Sequence, residues 1–246
     1  MKLHTVDINV DVGEGVGNEA QLMPFMSSCN IACGGHAGNV QTMDRVVALA
    51  VQHQVKIGGH PSFPDVLHFG RKVMQMEPEA LYDSLSYQIE SLLRVLNRKG
   101  QTLHHVKPHG ALYNLAVTDV ETAQVIVRVM QHLDAQVKLY VPCNSVIEKI
   151  AIKNNVPIIY EAFADRMYNE NLSLVSRSHP KAVIQDTDLV CQQVYQIAVD
   201  GCVKTITGKI VPIKAETFCL HGDHPKAETL ISGLCAGLKQ QGIKIV

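Results

Sequence analysis

The amino-acid sequence predicts an α/β fold in which seven or eight strand–helix units close into one parallel barrel over residues 1–246. Short β-branched runs alternate with longer amphipathic stretches along the whole chain. No long linker, low-complexity segment or internal repeat divides these units, and 246 residues is an ordinary length for such a barrel. An open doubly wound sheet is the alternative, although the glycines of residues 11–19 lack the spacing of a nucleotide-binding motif.

Seven apolar runs predict the strands, and the near-continuous ones are typical of parallel strands buried on both faces. These runs are VDINV, NIAC, VKIGG, LHHVK, VKLYV, VPIIY and TFCLH. Apolar residues that recur every three or four positions predict helices over residues 39–53, 78–99, 144–154, 187–200 and 225–240. Segment 203–214 is less regular and indicates either a hairpin or an extra strand.

Individual residues mark where some of the helices begin and end. Pro78 suits a first helical turn, and Gly100 suits the position just past a helix end. Thr118 followed by Glu121 has the spacing of a capping box, ahead of another stretch with helical periodicity. The sequence therefore predicts a long helix that ends before Gly100 and a further helix capped by Thr118.

The composition argues against several classes of function. The 22 basic and 23 acidic residues nearly cancel, so no excess of charge favours nucleic acid or an anionic membrane surface. No run approaches the roughly 18 apolar residues of a membrane span, and the first residues lack the apolar stretch of a signal peptide. The seven cysteines include no CxxC pair, which favours reduced thiols. These features predict a cytoplasmic protein.

Polar side chains gather within or just after the carboxyl ends of the predicted strands. In a parallel barrel these ends meet on one face, where catalytic groups collect. The contributing residues are Asp7, Asn9, Asp11, Glu14, Asn30, His36, His60, Lys107, His109, Glu161, Asp165, Arg166, His221 and Asp223. The sequence therefore predicts a polar site on that face of the barrel.

Some of these residues also have a structural interpretation. Asp7, Asn9 and Asp11 alternate along one strand and share a face, which we expect to point into the barrel because outward polar groups would meet the covering helices. Asp223 fits a helix N-cap as well as a ligand. The adjacent Asp165 and Arg166 fit a simple ion pair as well as a catalytic role.

The fourth predicted strand ends in a lysine and a histidine two positions apart, Lys107 and His109, which should share one face. Tyr113, just beyond them, is a weaker candidate for the site. The two histidines earlier on this strand, His104 and His105, are assigned to the structure and not to the site.

Two mechanisms fit such a set of residues. A divalent metal held by Asp11, His36, His60 and His109 would activate water against an amide or ester, although the histidines lack the HxxxH or HxH spacing of a strong metal motif. Without a metal, cationic side chains would stabilise charge while a carboxylate acts as general base. Arg71 fits either an anion-binding or a solvated role.

Eight motifs in order resemble the LamB/YcsF family over nearly the whole chain. They are DINVDVGE, NIACGGHAGN, IGGHPSFPD, FGRK, HVKPHGALYN, FADRMY, LVSR and CLHGDHP. The resemblance implies a distorted, seven-stranded (β/α) barrel akin to those of carbohydrate deacetylases. It also implies opening of the 5-oxoproline (pyroglutamate) lactam to L-glutamate, with hydrolysis of ATP to ADP and phosphate, in concert with 5-oxoprolinase subunits B and C.

With that chemistry in view, catalytic roles are expected for Asp7, Asp11, Lys107, His109, Asp165 and Arg166. Binding of substrate or phosphate is expected of Asn9, Glu14, Asn30, His36, His60, Arg71, Tyr113, His221 and Asp223. Phosphorylation of the amide oxygen by ATP would make the lactam a good electrophile for water. The chain has no phosphate-binding loop motif, so the ATP site is expected to lie partly on another polypeptide of the complex.

The sequence departs from the family pattern at Gly35, Gly59, Lys72, Ser176 and His224. Gly35 stands where many members have Phe, and we expect it to enlarge the pocket. A metal-dependent deacetylase or amidohydrolase acting alone, and a non-catalytic subunit that presents the substrate to a partner, remain the alternative functions. The sequence leaves a homo-oligomer open.

Overall fold

The computed structural model describes residues 4–246, which form ten strands and eight α-helices. The strands are β1 (Thr5–Val12), β2 (Ser28–Ala32), β3 (Lys56–His60), β4 (His105–Val106), β5 (Lys138–Pro142), β6 (Ile158–Phe163), β7 (Cys202–Lys204), β8 (Ile210–Pro212), β9 (Thr217–Leu220) and β10 (Lys244–Ile245). The helices are α1 (Glu19–Leu22), α2 (Val40–His53), α3 (Pro78–Arg98), α4 (Gly110–Ala116), α5 (Val120–Gln131), α6 (Val146–Lys153), α7 (Thr187–Tyr195) and α8 (Ala227–Gln240). A 3₁₀ turn (Met23–Phe25) follows α1, and a π-helical turn (Gln196–Asp200) extends α7.

Seven parallel strands close into a barrel in the order β1, β2, β3, β4, β5, β6 and β9. The barrel closes because β9 pairs with both β6 and β1. The short β10 adds to β1 in parallel at the amino-terminal end of that strand. The seven-stranded parallel barrel predicted from the sequence is therefore confirmed.

The alternation of β1 separates an apolar face from a polar one. Val6, Ile8 and Val10 are buried in the hydrophobic core, whereas the side chains of Asn9 and Asp11 reach other strands inside the barrel. Because successive residues of a strand point to opposite faces, this pattern fixes the register of the strand. The inward orientation predicted for the polar residues of β1 matches the structure.

Two local predictions have different outcomes. Segment 203–214 is a hairpin, since β7 and β8 pair antiparallel. The predicted capping box is wrong, because the N-cap of α5 is Asp119, whose side chain accepts a hydrogen bond from the backbone N–H of Thr122. Thr118 and Asp119 are both good capping residues, and the helix begins one residue later than the Thr118 pattern implies. Over residues 4–246, none of the helices has both the length and the apolar character needed to cross a membrane.

Adjacent glycines on β3 face opposite sides of the barrel wall and allow a matched test. A Cβ on Gly58 would collide with the ring of His105, whereas one on Gly59 would lie 3.6 Å from Cδ2 of Leu92, an ordinary contact. We expect Gly59→Ala to raise the free energy of unfolding by about 0.4–1 kcal/mol, because the unfolded chain loses conformational freedom. Gly58→Ala should lower it by about 1–3 kcal/mol, because the His105 ring must move.

Urea denaturation of the two variants measures both effects. Equal effects in the two variants would contradict this assignment of the inner and outer faces of β3.

Candidate active site

A cavity of about 570 Å³ opens at the carboxyl ends of the barrel strands. Asp11 from β1, His60 from β3 and Glu161 from β6 line it, together with residues that follow β4 and β9. The residues predicted for the site that line the cavity are Asp11, Glu14, His60, Arg71, Lys107, His109, Tyr113, Glu161, Arg166 and His221. Loops after parallel strands converge at this end, so the fold brings together residues that are far apart in sequence.

The charged centre of the cavity is Lys107, which is buried. Its Nζ lies 3.0 Å from Oδ1 of Asp11 and 2.9 Å from Oε1 of Glu161. Burial opposes the charge on the lysine, but Asp11 and then other neighbours hold the pKa of Lys107 well above its usual value. Burial likewise opposes ionisation of Asp11, but His60 and Lys107 hold its pKa well below the usual value. Both groups are therefore charged at neutral pH.

Amide side chains hold these charges in place. Asn30 Nδ2 donates to Oδ1 of Asp11 at 2.8 Å and to Oδ1 of Asn9 at 2.7 Å. Asn9 Nδ2 in turn donates to Oε1 of Glu161 at 3.0 Å. Asn9 and Asn30 therefore position the two carboxylates from behind, and neither lines the cavity.

Behind Asn30 the network continues through two histidines. Lys138 Nζ lies 3.3 Å from Nε2 of His104, Nδ1 of His104 lies 3.0 Å from Nδ1 of His105, and Nε2 of His105 lies 2.7 Å from Oδ1 of Asn30. A lysine only donates and the Asn30 oxygen only accepts, so every hydrogen bond of this chain must donate toward Asn30. His105 therefore helps to position the site residues through Asn30. The sequence interpretation missed this function, although His105 lies on the same strand face as Lys107.

The network makes stability depend on pH. Burial, and then the charges of Lys138 and Lys56, lower the pKa of His104 to about 4, from an ordinary value of 6.5. Between pH 6.5 and pH 4, His104 therefore binds a proton in the unfolded chain but stays neutral in the folded chain. We expect the free energy of unfolding to fall as pH drops through this range.

His104→Gln should make this fall less steep, as measured by urea denaturation across the pH range. The exposed His132 provides a matched His132→Gln control, which should leave the slope unchanged. An unchanged slope in His104→Gln would show that this histidine is not held neutral by the fold.

Three histidines and a glutamate meet beside Asp11. Nδ1 of His60 lies 2.7 Å from the carbonyl oxygen of Lys107, and Nε2 of His109 lies 2.9 Å from that of Phe69. A carbonyl oxygen only accepts, so these two nitrogens carry the protons. The opposite nitrogens, Nε2 of His60 and Nδ1 of His109, face each other at 2.9 Å. Burial, and then the charge of His60, lower the pKa of His109 well below its usual value, so Nδ1 of His109 carries a lone pair that faces Nε2 of His60.

A carboxylate completes this group, which we call the histidine cluster (Glu14, His36, His60 and His109). Oε1 of Glu14 lies 2.9 Å from Nε2 of His36 and 3.3 Å from Nδ1 of His109. One ligand atom from each of the four residues lies within 4.8 Å of the others. Histidine rings oriented in this way by backbone carbonyls are typical of metal ligands, and imidazole nitrogens suit a transition metal better than Mg²⁺. The cluster could therefore hold a divalent metal ion.

Comparisons with known proteins identify relatives of this chain. The sequence model described as the LamB/YcsF family matches residues 6–246. A protein from Bacillus mycoides (strain KBAB4), named as the A subunit of 5-oxoprolinase, is 41% identical over 247 residues, covering 98% of this chain and 97% of that protein.

The chain belongs to the LamB/YcsF family.

Solved structures extend the likeness to the fold. The crystal structure of the lactam utilization protein from Thermus thermophilus matches with a TM-score of 0.92 at 36% identity, over 98% of both chains. A peptidoglycan deacetylase from Bacillus subtilis matches with a TM-score of 0.53 at 8% identity, over 100% of this chain and 88% of that one. At that identity the second likeness concerns the fold alone, and it confirms that the LamB/YcsF barrel is akin to deacetylase barrels.

In this LamB/YcsF family member Asp165 pairs with His221 and not with Arg166. Nδ1 of His221 lies 2.9 Å from Oδ1 of Asp165, and the backbone N–H of His221 donates to Oδ2 at 3.1 Å. Burial opposes the charge of Asp165, but His221 lowers its pKa below the usual value. Asp165 itself does not line the cavity, so its carboxylate orients His221, which does.

Arg166 has a structural function that the sequence did not reveal. Its Nη2 donates to the carbonyl oxygen of Val175 at 2.6 Å and its Nε to that of Ala182 at 3.3 Å. The guanidinium therefore braces the segment between β6 and α7, and it still lines the cavity. The predicted ion pair between Asp165 and Arg166 is wrong.

Asp7 lies apart from the catalytic end of the LamB/YcsF barrel. Its Oδ1 accepts hydrogen bonds from Ser28 Oγ at 2.7 Å and Thr217 Oγ1 at 2.6 Å, and its Oδ2 lies 3.3 Å from Nζ of Lys56. These contacts satisfy the carboxylate, and Asp7 does not line the cavity. Asp7 therefore has a structural role, and Asp11 is the carboxylate of β1 that lines the cavity.

Two further predictions need correction. Asp223 is not an N-cap, since α8 begins at Ala227 after Lys226; its carboxylate instead pairs with Arg71 at the rim of the cavity. Gly35 does not enlarge the pocket, because the space that a side chain would take there is filled by Gln88 and Ser62.

Proposed function

We propose that this chain acts as the A subunit of 5-oxoprolinase, opening the 5-oxoproline lactam to L-glutamate with hydrolysis of ATP to ADP and phosphate, together with partner subunits B and C. The name of its curated relatives supports this activity. The observation that carries the proposal is the buried Lys107, held between Asp11 and Glu161 at the wall of the cavity.

A lactam needs activation before water can open it, because its amide is stabilised by resonance and its nitrogen is a poor leaving group. Phosphorylation of the amide oxygen would supply that activation and would develop negative charge beside the ring. Lys107 is a buried cation at the cavity, and a fixed charge in a water-poor site stabilises such a group strongly. Arg166 in the wall and Arg71 at the rim add further cations.

Asp11 is the proposed base for the attacking water. Its Oδ1 is already held by Lys107 at 3.0 Å and Asn30 at 2.8 Å. Its Oδ2, which lies 3.5 Å from Nε2 of His60, is left to accept a proton from water. His221, which is oriented by Asp165 and lines the cavity, is the proposed proton donor to the leaving nitrogen.

Reconstitution tests this function. The purified chain is incubated with ATP and 5-oxoproline, alone and with candidate subunits B and C, and ADP and L-glutamate are measured. We expect equal amounts of both products, and only in the complete mixture. Formation of L-glutamate by the chain alone without ATP would contradict the proposed ATP dependence. An ADP yield that is the same with and without 5-oxoproline would contradict 5-oxoproline as the substrate.

The histidine cluster favours a second candidate, a metal-dependent amidohydrolase. A metal ion bound there would polarise a carbonyl oxygen or lower the pKa of water. We expect the purified chain to carry about one transition-metal ion by elemental analysis and His60→Ala to lose it. His132→Ala is the matched surface control and should retain it. Metal together with ATP-independent cleavage of a simple amide supports this candidate, whereas a metal-free chain excludes it.

A further inference from the structure

Two buried polar atoms at the cavity have no hydrogen-bond partner among residues 4–246: Oε2 of Glu161 and the hydroxyl of Tyr113. Both residues line the cavity, and both are more than nine-tenths buried, with 2% and 6% of their surface exposed. A buried polar atom without a partner destabilises the fold, so an unpaired donor and acceptor in one cavity indicate a ligand that supplies both partners.

The free oxygen of Glu161 can only accept. Its other oxygen, Oε1, is occupied by Lys107 Nζ at 2.9 Å and Asn9 Nδ2 at 3.0 Å. These two contacts hold the carboxylate in one orientation. Oε2 is therefore a fixed acceptor for an N–H or O–H group of a ligand.

The hydroxyl of Tyr113 is the complementary donor. The ring packs edge-on against Phe163, with centroids 5.8 Å apart and an angle of 87° between the planes. Burial, and then the charge of Glu161, raise the pKa of Tyr113 well above its usual value, so the hydroxyl keeps its proton. Close approach of the two side chains also raises this pKa, so the donor and the acceptor are neighbours at the cavity wall, although the Tyr113 hydroxyl and Oε2 of Glu161 do not complete a hydrogen bond with each other.

We infer that Tyr113 and Glu161 form a clamp for a cis-amide, in which Oε2 of Glu161 accepts from the amide N–H and the Tyr113 hydroxyl donates to the amide C=O. A five-membered lactam holds its N–H and C=O on the same edge, as this donor and acceptor require. An acyclic secondary amide is trans, and it presents that edge only in its unfavourable cis form. The inference rests on the proposed function and gives the site a preference for cyclic over open-chain amides.

The clamp also predicts discrimination between a lactam and the matching lactone. In 5-oxotetrahydrofuran-2-carboxylate a ring oxygen replaces the N–H, so an acceptor would face Oε2 of Glu161. A buried site built to bind a donor rejects such an analogue strongly, and we expect its binding to be at least about 100-fold weaker than that of 5-oxoproline.

Two substitutions test each half of the clamp. In Glu161→Gln the amide oxygen must take the place of Oε1, because Lys107 and Asn9 both donate there. The NH₂ group then faces the cavity, so the ratio of lactam to lactone binding should fall to about one or invert. Tyr113→Phe keeps the ring, removes the donor and should weaken binding of 5-oxoproline about 10-fold. Tyr82→Phe is the control, because Tyr82 lies beside His132 on the outer surface. This variant should bind 5-oxoproline with the affinity of the unsubstituted chain.

Titration calorimetry with the purified chain measures these affinities for 5-oxoproline, its lactone, 2-pyrrolidinone and hydantoin, and circular dichroism confirms folding. An unchanged lactam-to-lactone ratio in Glu161→Gln, with unchanged affinity in Tyr113→Phe, overturns the clamp even if the complex turns over 5-oxoproline. Binding of another lactam but not 5-oxoproline, with the expected effects in both variants, supports the clamp and overturns the proposed substrate. A chain that binds no member of the panel overturns the clamp.

Discussion

Asp11→Asn should lower the turnover of the reconstituted complex by about 100- to 10,000-fold, the contribution expected of a general base. The substitution is well suited to retain the fold. The new amide oxygen can accept from Lys107 and Asn30, as Oδ1 does now, and the NH₂ group takes the place of Oδ2 beside His60. Lys107 keeps Glu161 as a counter-charge. Thermal unfolding and turnover are measured on the same preparation.

Asp7→Asn is the matched control, because Asp7 lies on the same face of the same strand but outside the cavity. We expect it to retain turnover and to lose stability, since its carboxylate accepts from Ser28, Thr217 and Lys56. Full turnover in Asp11→Asn would remove this residue from the chemistry and favour a non-catalytic, substrate-presenting chain. If only Asp7→Asn lost turnover, the general base would be Asp7 and not Asp11.

Lys107→Met should have the largest effect on stability, lowering the free energy of unfolding by about 3–5 kcal/mol. The methionine fills similar space but leaves Asp11 and Glu161 buried without their cation. Adding Glu161→Gln to Lys107→Met should recover part of the lost free energy of unfolding, because only the Asp11 carboxylate is then left without its cation. Urea denaturation of the single and double variants gives the coupling between the two residues.

The dependence on pH provides a further test of this charge cluster. The pKa of Asp11 is lowered from 3.8, so its stabilisation is present above pH 3.8 and is lost as pH falls through the folded-state value. The pKa of Lys107 is raised above 10.5, so its stabilisation is present below pH 10.5 and is lost only at higher pH. Lys107→Met should therefore be less stable than the unsubstituted chain throughout the range between these values. Equal stability at pH 7 would show that the cluster does not stabilise the fold.

The barrel could be predicted from the sequence because strand and helix periodicities are local. The convergence of polar residues followed from the topology, since parallel strands bring their carboxyl ends together. The partner of each side chain could not be predicted in the same way. Asp165 and Arg166 are adjacent in sequence, yet the carboxylate pairs with His221 and the guanidinium binds backbone carbonyls. Local spacing gives the face of a strand, whereas the partner depends on which strands become neighbours.

The same reason explains the residues that were missed. His105 was set aside because a histidine early on a strand commonly has a structural place, but its ring passes beside Gly58 and reaches Asn30. Glu161 was recognised as a polar residue at a strand end without a role of its own. Its role follows from a difference between its two oxygens, one bound and one free, which no sequence pattern shows.

The hydrogen-bonded chain from Lys138 through His104, His105 and Asn30 to Asp11 has a consequence for proton movement. Each bond donates toward Asp11, and the last link is an amide, which does not exchange its protons on the timescale of catalysis. The chain can therefore transmit orientation to Asp11 but cannot carry a proton away from it. A proton taken up by Asp11 must therefore leave by another route, and His60, whose Nε2 lies 3.5 Å from Oδ2 of Asp11, is its neighbour on the cavity side.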